Sequence, residues 1–381
     1  MLPNAKTDWT GVLDRYDAWW ERRGLLISTW GCPPAAGESF APGTPLPSDP
    51  EQRWSDPEVR ARSAEECLRQ GGFPGDILPV CDSDLGPGSL ATMLGSVPGW
   101  GHDTIWFDPA PGFADGAPGP ELRFDPSHPE VRRQVAVLDA CRRRLGGAYW
   151  VACPDLVEGL DVLASLRGAQ PLMTDLIERP EWADEKLAEI TTAWIAAYTH
   201  LQPWFEHDGC TCFGAFRACG RGRVAKVQCD ASAMISPRMY RRFVVPHIER
   251  QCAWLDRSLY HLDGTQAMPH LDVLLAEVPS LDAIEWTPQA GIEGGGDPRW
   301  YPLYRRIKAA GKSVQVFCEP GQVLPLLDAI GCEGTYLLVS FRSVRQHEEA
   351  IAAVAARFGD RVVTAAPLRS GTNLAGYSRS A

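Results

Sequence analysis

The chain has 381 residues, and 37 basic against 48 acidic side chains leave a formal charge of −11. That balance argues against a nucleic-acid groove and against an anionic membrane surface, while a small anionic substrate held by a few local arginines stays compatible with it. With 45% hydrophobic residues the chain can fill a sizeable core, and no stretch approaches the ~20 apolar residues of a membrane span.

In chain order, an amphipathic helix is expected around Trp9–Arg22, then a short apolar strand Leu25–Thr29 and a Pro/Gly-rich loop. The start lacks the basic-then-apolar pattern of a secretory leader, so a cytoplasmic protein is expected. "DPEVRARSAEECLRQ" follows as a helix with Asp56 as its cap and Pro57 at its first position. Residues 1–75 thus form an N-terminal extension of helix and loop. "FDPAPGFADGAPGPELRFDPSHP" reads as an insertion or small hairpin.

From Asp76 the pattern becomes regular. Strands are expected at "GDILPVCDS", "AYWVACPD", "GCTCFGAF", "RVAKVQCDAS", "SLYHLDG", "LDAIEW", "SVQVFCE" and "GTYLLVSF", with helices between most of them. One of these helices, "SPRMYRRFVVPHIERQCAWLD", is capped by Ser236. Such alternation means βα units and a parallel sheet, and eight strands fit a (β/α)8 TIM barrel over residues 76–365. Residues 366–381 read as a C-terminal tail. Twelve cysteines are read as free thiols, mostly small buried hydrophobes. "GCTCFGAFRAC" lacks the spacing of a zinc knuckle, and "GIEGGGDP" lacks that of a phosphate loop.

In such a barrel the C-terminal strand ends share one mouth, where catalytic groups gather. Here those ends carry Asp82 and Asp84, Asp155, Arg217, Cys229 with Asp230, His261 with Asp263, Glu285, Cys318 with Glu319, and Arg342. His261 and Asp263 are two apart on a strand and point to the same side, so they can bind a metal or form an acid–base pair. The bland alternative is a packed histidine beside a turn-capping aspartate. Asp230 is a candidate to hold a cationic group or shuttle a proton. Ser236 already caps the next helix, which weakens a capping role for Asp230. Cys318 could add a thiolate, against the alternative of a buried cysteine. Arg342 and Arg217 are candidate carboxylate anchors, and Trp286 a candidate pocket wall. Asp84 and Asp155 complete the expected substrate-binding set.

Five segments together resemble the uroporphyrinogen decarboxylase superfamily, which includes the methylcobamide-dependent methyltransferases. They are "GDILPVCDSDLGPGSLATMLG", "DLVEGLDVLASLRGAQPLMTDLIERPE", "QCDASAMISPRMYRRFVVPHIE", "YHLDGTQAMPHLDVLLAEVPSLDAIEW" and "GTYLLVSFRSVRQHEEAIAAV". The likeness runs from Asp76 to Phe358 and implies the same barrel with its site at the mouth. In the decarboxylases an aspartate after a "DIL" strand holds pyrrole N–H groups. Asp76 of "GDILPV" matches it, while the arginine motif RQAGRY is absent here. In the methyltransferases H-x-C and a distant cysteine hold a zinc that ionises an acceptor thiol. Here that motif reads His261-Leu262-Asp263, and the distant cysteine, expected near Ser340–Ser343, is missing. The resemblance therefore implies His261 as a ligand and Asp263 by position, with Cys318, Cys229 or Glu285 to supply the third.

The leading expectation is methyl or alkyl transfer to a small, thiol-type acceptor. Zinc would be the cofactor, and the donor would be a corrinoid carried on a partner protein. Asp230, Asp263 and His261 would be catalytic. The alternatives are a metal-free carboxy-lyase and a non-catalytic corrinoid- or tetrapyrrole-binding protein. No nucleic-acid or membrane partner is expected, and a homodimer is left open.

Overall fold

A computed structural model describes residues 5–360. Its strands are β1 (Leu25–Ser28), β2 (Val80–Cys81), β3 (Val97–Trp100), β4 (Ile105–Asp108), β5 (Trp150–Val151), β6 (Cys210–Phe213), β7 (Ala218–Arg221), β8 (Val224–Gln228), β9 (Arg257–Asp263), β10 (Ala283–Thr287), β11 (Ser313–Cys318) and β12 (Thr335–Val339). A six-stranded parallel sheet runs β1-β12-β11-β10-β9-β8. β2 and β5 form a separate parallel pair, and β3–β4 and β6–β7 are antiparallel hairpins.

The α/β alternation expected from the sequence is present, with helices between most of the parallel strands. Two expectations change. "GCTCFGAF" turns back on itself as the β6–β7 hairpin, which is bridged to the segment after β5 between Cys153 and Phe213 and shares the inner core with the parallel pair. The N-terminal segment is more than an extension, because β1 joins the sheet beside β12 with Leu26 opposite Tyr336. The C-terminal tail lies outside the described residues. Among the described residues no helix is long and apolar enough to cross a membrane.

Helix starts follow local chemistry. Asp56 accepts from the amides of Glu58 and Val59 ahead of the helix Pro57–Gln70, with proline at its first position, where no amide donor is needed. Ser236 and Ser343 cap their helices in the same way. The single helix expected after Ser236 divides into Pro237–Phe243 and Val245–Trp254. Pro246 lacks the amide that would continue the ladder, so the first helix ends just before it.

Strand side chains alternate between two cores. On one face Ile27, Tyr260, Ile284 and Leu337 pack beneath the surrounding helices. On the other, Leu26, Val80, Trp150, Leu259, Ala283 and Leu338 meet in one cluster with Val12, Tyr16, Trp19 and Trp20 of the helix Trp9–Trp20. That helix sits at the start of the strands. Ser313 Oγ donates to the Trp19 carbonyl at 2.6 Å, and Gly334 N to the Gly24 carbonyl at 2.8 Å. The apolar plug fills the N-terminal end of the inner face and leaves its polar side chains at the other end.

Candidate active site

Strand register aligns one inward row across the sheet. Gln228 lies opposite His261, His261 opposite Glu285, Glu285 opposite Gln315, and Gln315 opposite Tyr336. One step toward the C-terminal ends, Asp263 lies opposite Thr287, and Asp230 stands two residues beyond Gln228, the last residue of β8. The pattern joins a row of polar side chains to an apolar floor.

His261 is the centre of the arrangement. Its Nδ1 lies 2.5 Å from Glu285 Oε2, and the other Glu285 oxygen accepts from Thr287 Oγ1 at 2.8 Å. The ring of Phe216, from the turn of the β6–β7 hairpin, packs 4.9 Å from the imidazole. Burial works against protonating His261, but the Glu285 carboxylate outweighs it and raises the imidazole pKa. With Nδ1 committed to Glu285, Nε2 is the free ring nitrogen.

Asp230, His261 and Asp263 each offer a ligand atom, and these atoms lie within 4.8 Å of one another. Asp230 and Asp263 are exposed and His261 is half-buried, so the group opens to solvent. The turn carrying Asp230 is fixed by Asp161, whose two oxygens accept the amides of Asp230 and Ala231 at 2.8 Å each. Gln228 Nε2 donates to Asp230 at 2.8 Å. Burial of its carboxyl group, then the Asp161 carboxylate, push Asp230 up to about 6; His261 and Lys226 oppose the shift.

Below this group lies Lys226, buried and paired with Asp155 at 2.8 Å. Burial disfavours its charge, but Asp155 and Glu158 outweigh that and raise its pKa, so the ammonium persists at neutral pH. Glu158 is buried, accepts the Gln228 amide, and is held well above the usual carboxylate range by desolvation.

The remaining candidates scatter. Cys229 and Cys318 are buried in the outer core, and burial pushes Cys318 up to about 12 and Cys229 upward as well. Each is an odd number of residues from an inward position on its strand, Gln228 and Gln315, so alternation turns it away from His261. Trp286 follows Glu285 and for the same reason packs into the outer core, its ring 4.9 Å from Trp300. Glu285 contacts His261, and the third side chain that converges with His261 and Asp263 is Asp230.

Asp76 is occupied structurally. It accepts from Arg15 at 2.5 Å and from the Ile27 amide at 2.9 Å. Arg342 lines a separate recess with Glu319 and Glu349. Arg217 pairs through two nitrogens with Asp82, both at 3.1 Å, and donates to the Trp30 carbonyl. Its backbone is left-handed, at φ 50°, and its carbonyl accepts from Tyr16 and Tyr336. A β-carbon on Gly214 in the same turn would run into the Asp82 carboxylate. Asp84 and Asp155 line a small recess of about 160 Å³ beside Phe213.

The supporting residues Lys226, Gln228, Glu158, Asp161 and Phe216 were not legible as site residues from sequence. Lys226 and Gln228 share the parity of Asp230 on one strand, a signal available once the inward face is known. Asp161 and Glu158 come from a distant helix start, and nothing local marks them.

A search of family models and of curated protein sequences returns no match. Among solved structures, a methyltransferase from Methanosarcina mazei is similar to this chain at 11% identity and a TM-score of 0.55. The match covers 91% of this chain and 99% of that one. At that identity the likeness establishes a shared fold.

Proposed function

We propose that this protein is a metal-dependent transferase that moves a methyl or alkyl group to a small thiol-type acceptor at the Asp230–His261–Asp263 group. The observation that carries the reading is that one imidazole and two carboxylates converge within 4.8 Å and open to solvent. This reading takes the sheet, the β2–β5 pair and the hairpin as one curled (β/α)8 barrel, because residues of all three share the inner core. Its relation to the methyltransferases rests on the fold likeness and on the His-x-Asp segment at 261–263.

One nitrogen and two oxygen donors with room for a further ligand suit zinc, and also iron or manganese. His261 Nε2, Asp230 and Asp263 would hold the ion. Bound there, zinc would lower the pKa of an acceptor thiol toward neutrality. Glu285 fixes the imidazole orientation and tautomer, as an outer partner does for a ligating histidine. Lys226 holds a positive charge beneath the acids and limits their mutual repulsion. A corrinoid on a separate protein is the methyl donor in this proposal.

The metal-free lyase reading draws support from two groups. Asp230 titrates at about 6 and His261 is shifted upward, so both can carry protons near neutral pH. Elemental analysis of the purified protein separates the readings. About one zinc per chain, lost in His261→Ala and in Asp230→Ala but kept in Cys318→Ser, supports the transferase. Turnover of a carboxylated substrate without metal supports the lyase and overturns the transferase reading.

A further inference from the structure

One cavity lies away from the Asp230 group and is not used by the proposed reaction. It has a volume of about 500 Å³, and its wall holds three cysteines: buried Cys81, and Cys32 and Cys67, which are more open. Cys32 sits in the loop after β1, and Cys67 on the last turns of the helix Pro57–Gln70. The backbone clamps these segments together. Ala35 N donates to the Gln70 carbonyl and Gly72 N to the Pro33 carbonyl, both at 2.8 Å. Gly71, one helical turn beyond Cys67, lies so close to Cys32 that a β-carbon there would overlap the Cys32 sulfur.

The wall of the same cavity carries three arginines against two aspartates. Arg53 and Arg60 both line it, and among the described residues neither forms an ion pair. Among the described residues their hydrogen bonds go to the carbonyls of Pro47, His102 and Asp84, and each keeps a buried Nε without a partner. Arg217 is also in the wall, with its charge matched by Asp82, and Asp103 is the other acid there. Trp54, Val59, Leu68 and Val80 supply apolar surface.

We propose that the cavity is a thiol–disulfide exchange site in which Cys67 and Cys32 react with a small organic disulfide bearing carboxylates, drawn in by Arg53 and Arg60. Cys67 is the attacking group because it is the exposed one of the pair. The neighbouring Cys32 thiol brings the Cys67 thiol down to about 7, against burial, and the Arg217 charge assists. The Cys67 thiolate attacks one sulfur of the disulfide, the S–S bond breaks, and one carboxylate-bearing thiolate leaves. Cys32 gives up its proton to solvent and attacks the Cys67 sulfur of the mixed disulfide, releasing the second thiolate. The two cysteines are oxidised to a Cys32–Cys67 disulfide, and the incoming disulfide is reduced to two thiols. The product ties the loop after β1 to the helix Pro57–Gln70 and closes the wall between them.

The test treats the full-length reduced protein with dithiodipropionate, an anionic disulfide, and with cystamine, a cationic one. Each rate is normalised to that of a free small thiol, and the products are mapped by tryptic mass spectrometry. The expected result is a peptide pair containing Cys32 and Cys67, two hydrogens lighter than the reduced sum. The anion should be preferred by about tenfold, and the preference should fade at high salt. Cys67→Ser should abolish the fast phase, Cys32→Ser should stop at the mixed disulfide on Cys67, and Arg53→Gln with Arg60→Gln should erase the preference. Equal normalised rates for the two reagents, or separate adducts on both cysteines without a cross-link, would overturn the proposal.

Discussion

At the scale of single residues, the candidate site depends on who holds whom. Glu285 is inward, buried and bonded to His261, so in the proposed metal site it would act through the imidazole. Glu285→Gln should weaken zinc binding by about 10–100-fold while leaving the fold intact, measured by competition with a chromophoric chelator. The pH dependence follows from two upward shifts. Asp230 must lose its proton to bind a metal, and it titrates at about 6; His261, shifted upward by Glu285, must be neutral to offer Nε2. Zinc affinity should therefore fall as pH drops through about 6, and the same titration read at several pH values checks it. The sign for folding is the opposite. Asp230 lies above its ordinary value of 3.8, so the folded state binds that proton more tightly than the unfolded chain does. Stability of the metal-free protein should fall as pH rises between these two values and stay lower above them. Asp230→Asn should remove that loss, raising stability at pH 7.5 by on the order of 1 kcal/mol after allowance for screening at an exposed carboxylate. The thermal midpoint should rise by about 1–3 °C, and the gain should vanish in acid.

At the scale of elements, alternation along a strand decides what a residue can do. Glu285 and Trp286 are neighbours on β10, yet one contacts His261 and the other packs under the helices against Trp300. Trp286→Ala should thus cost about 3–5 kcal/mol in stability, read by denaturant unfolding, while the metal stoichiometry of the folded fraction stays unchanged. The same rule removes Cys229 and Cys318 from the ligand group. It also explains why Cys229 and Cys318, expected as third-ligand candidates, and Trp286, expected as a pocket wall, face the outer core: their place at a strand end does not fix which way they point. His261 and Asp263 share a side because they are two apart on a single strand, so their relative facing is set locally. Their partner Asp230 comes from β8, and its convergence depends on register.

At the scale of the whole molecule, the N-terminal helix and β1 belong to the central architecture. Tyr16, Trp19 and Trp20 are fully or almost fully buried against residues from β7, β11 and β12, far away in sequence. Deleting residues 1–23 would expose that inner core and leave β12 without the support beneath it. The truncated protein should lose its cooperative thermal transition by circular dichroism. Retention of a sharp transition would instead assign the segment to a dispensable extension.

The amino-acid sequence by itself determined the α/β alternation, most strand positions, the helix starts at Asp56 and Ser236, and the shared side of His261 and Asp263. These depend on interactions within a few residues, where periodicity and capping act directly. Only the tertiary structure decided that "GCTCFGAF" pairs with β7, that β1 joins β12, and that Glu285 braces His261 while Asp230 completes the group. Those outcomes depend on pairing between segments tens to hundreds of residues apart, and pairing register, absent from any local pattern, selects which side chains meet.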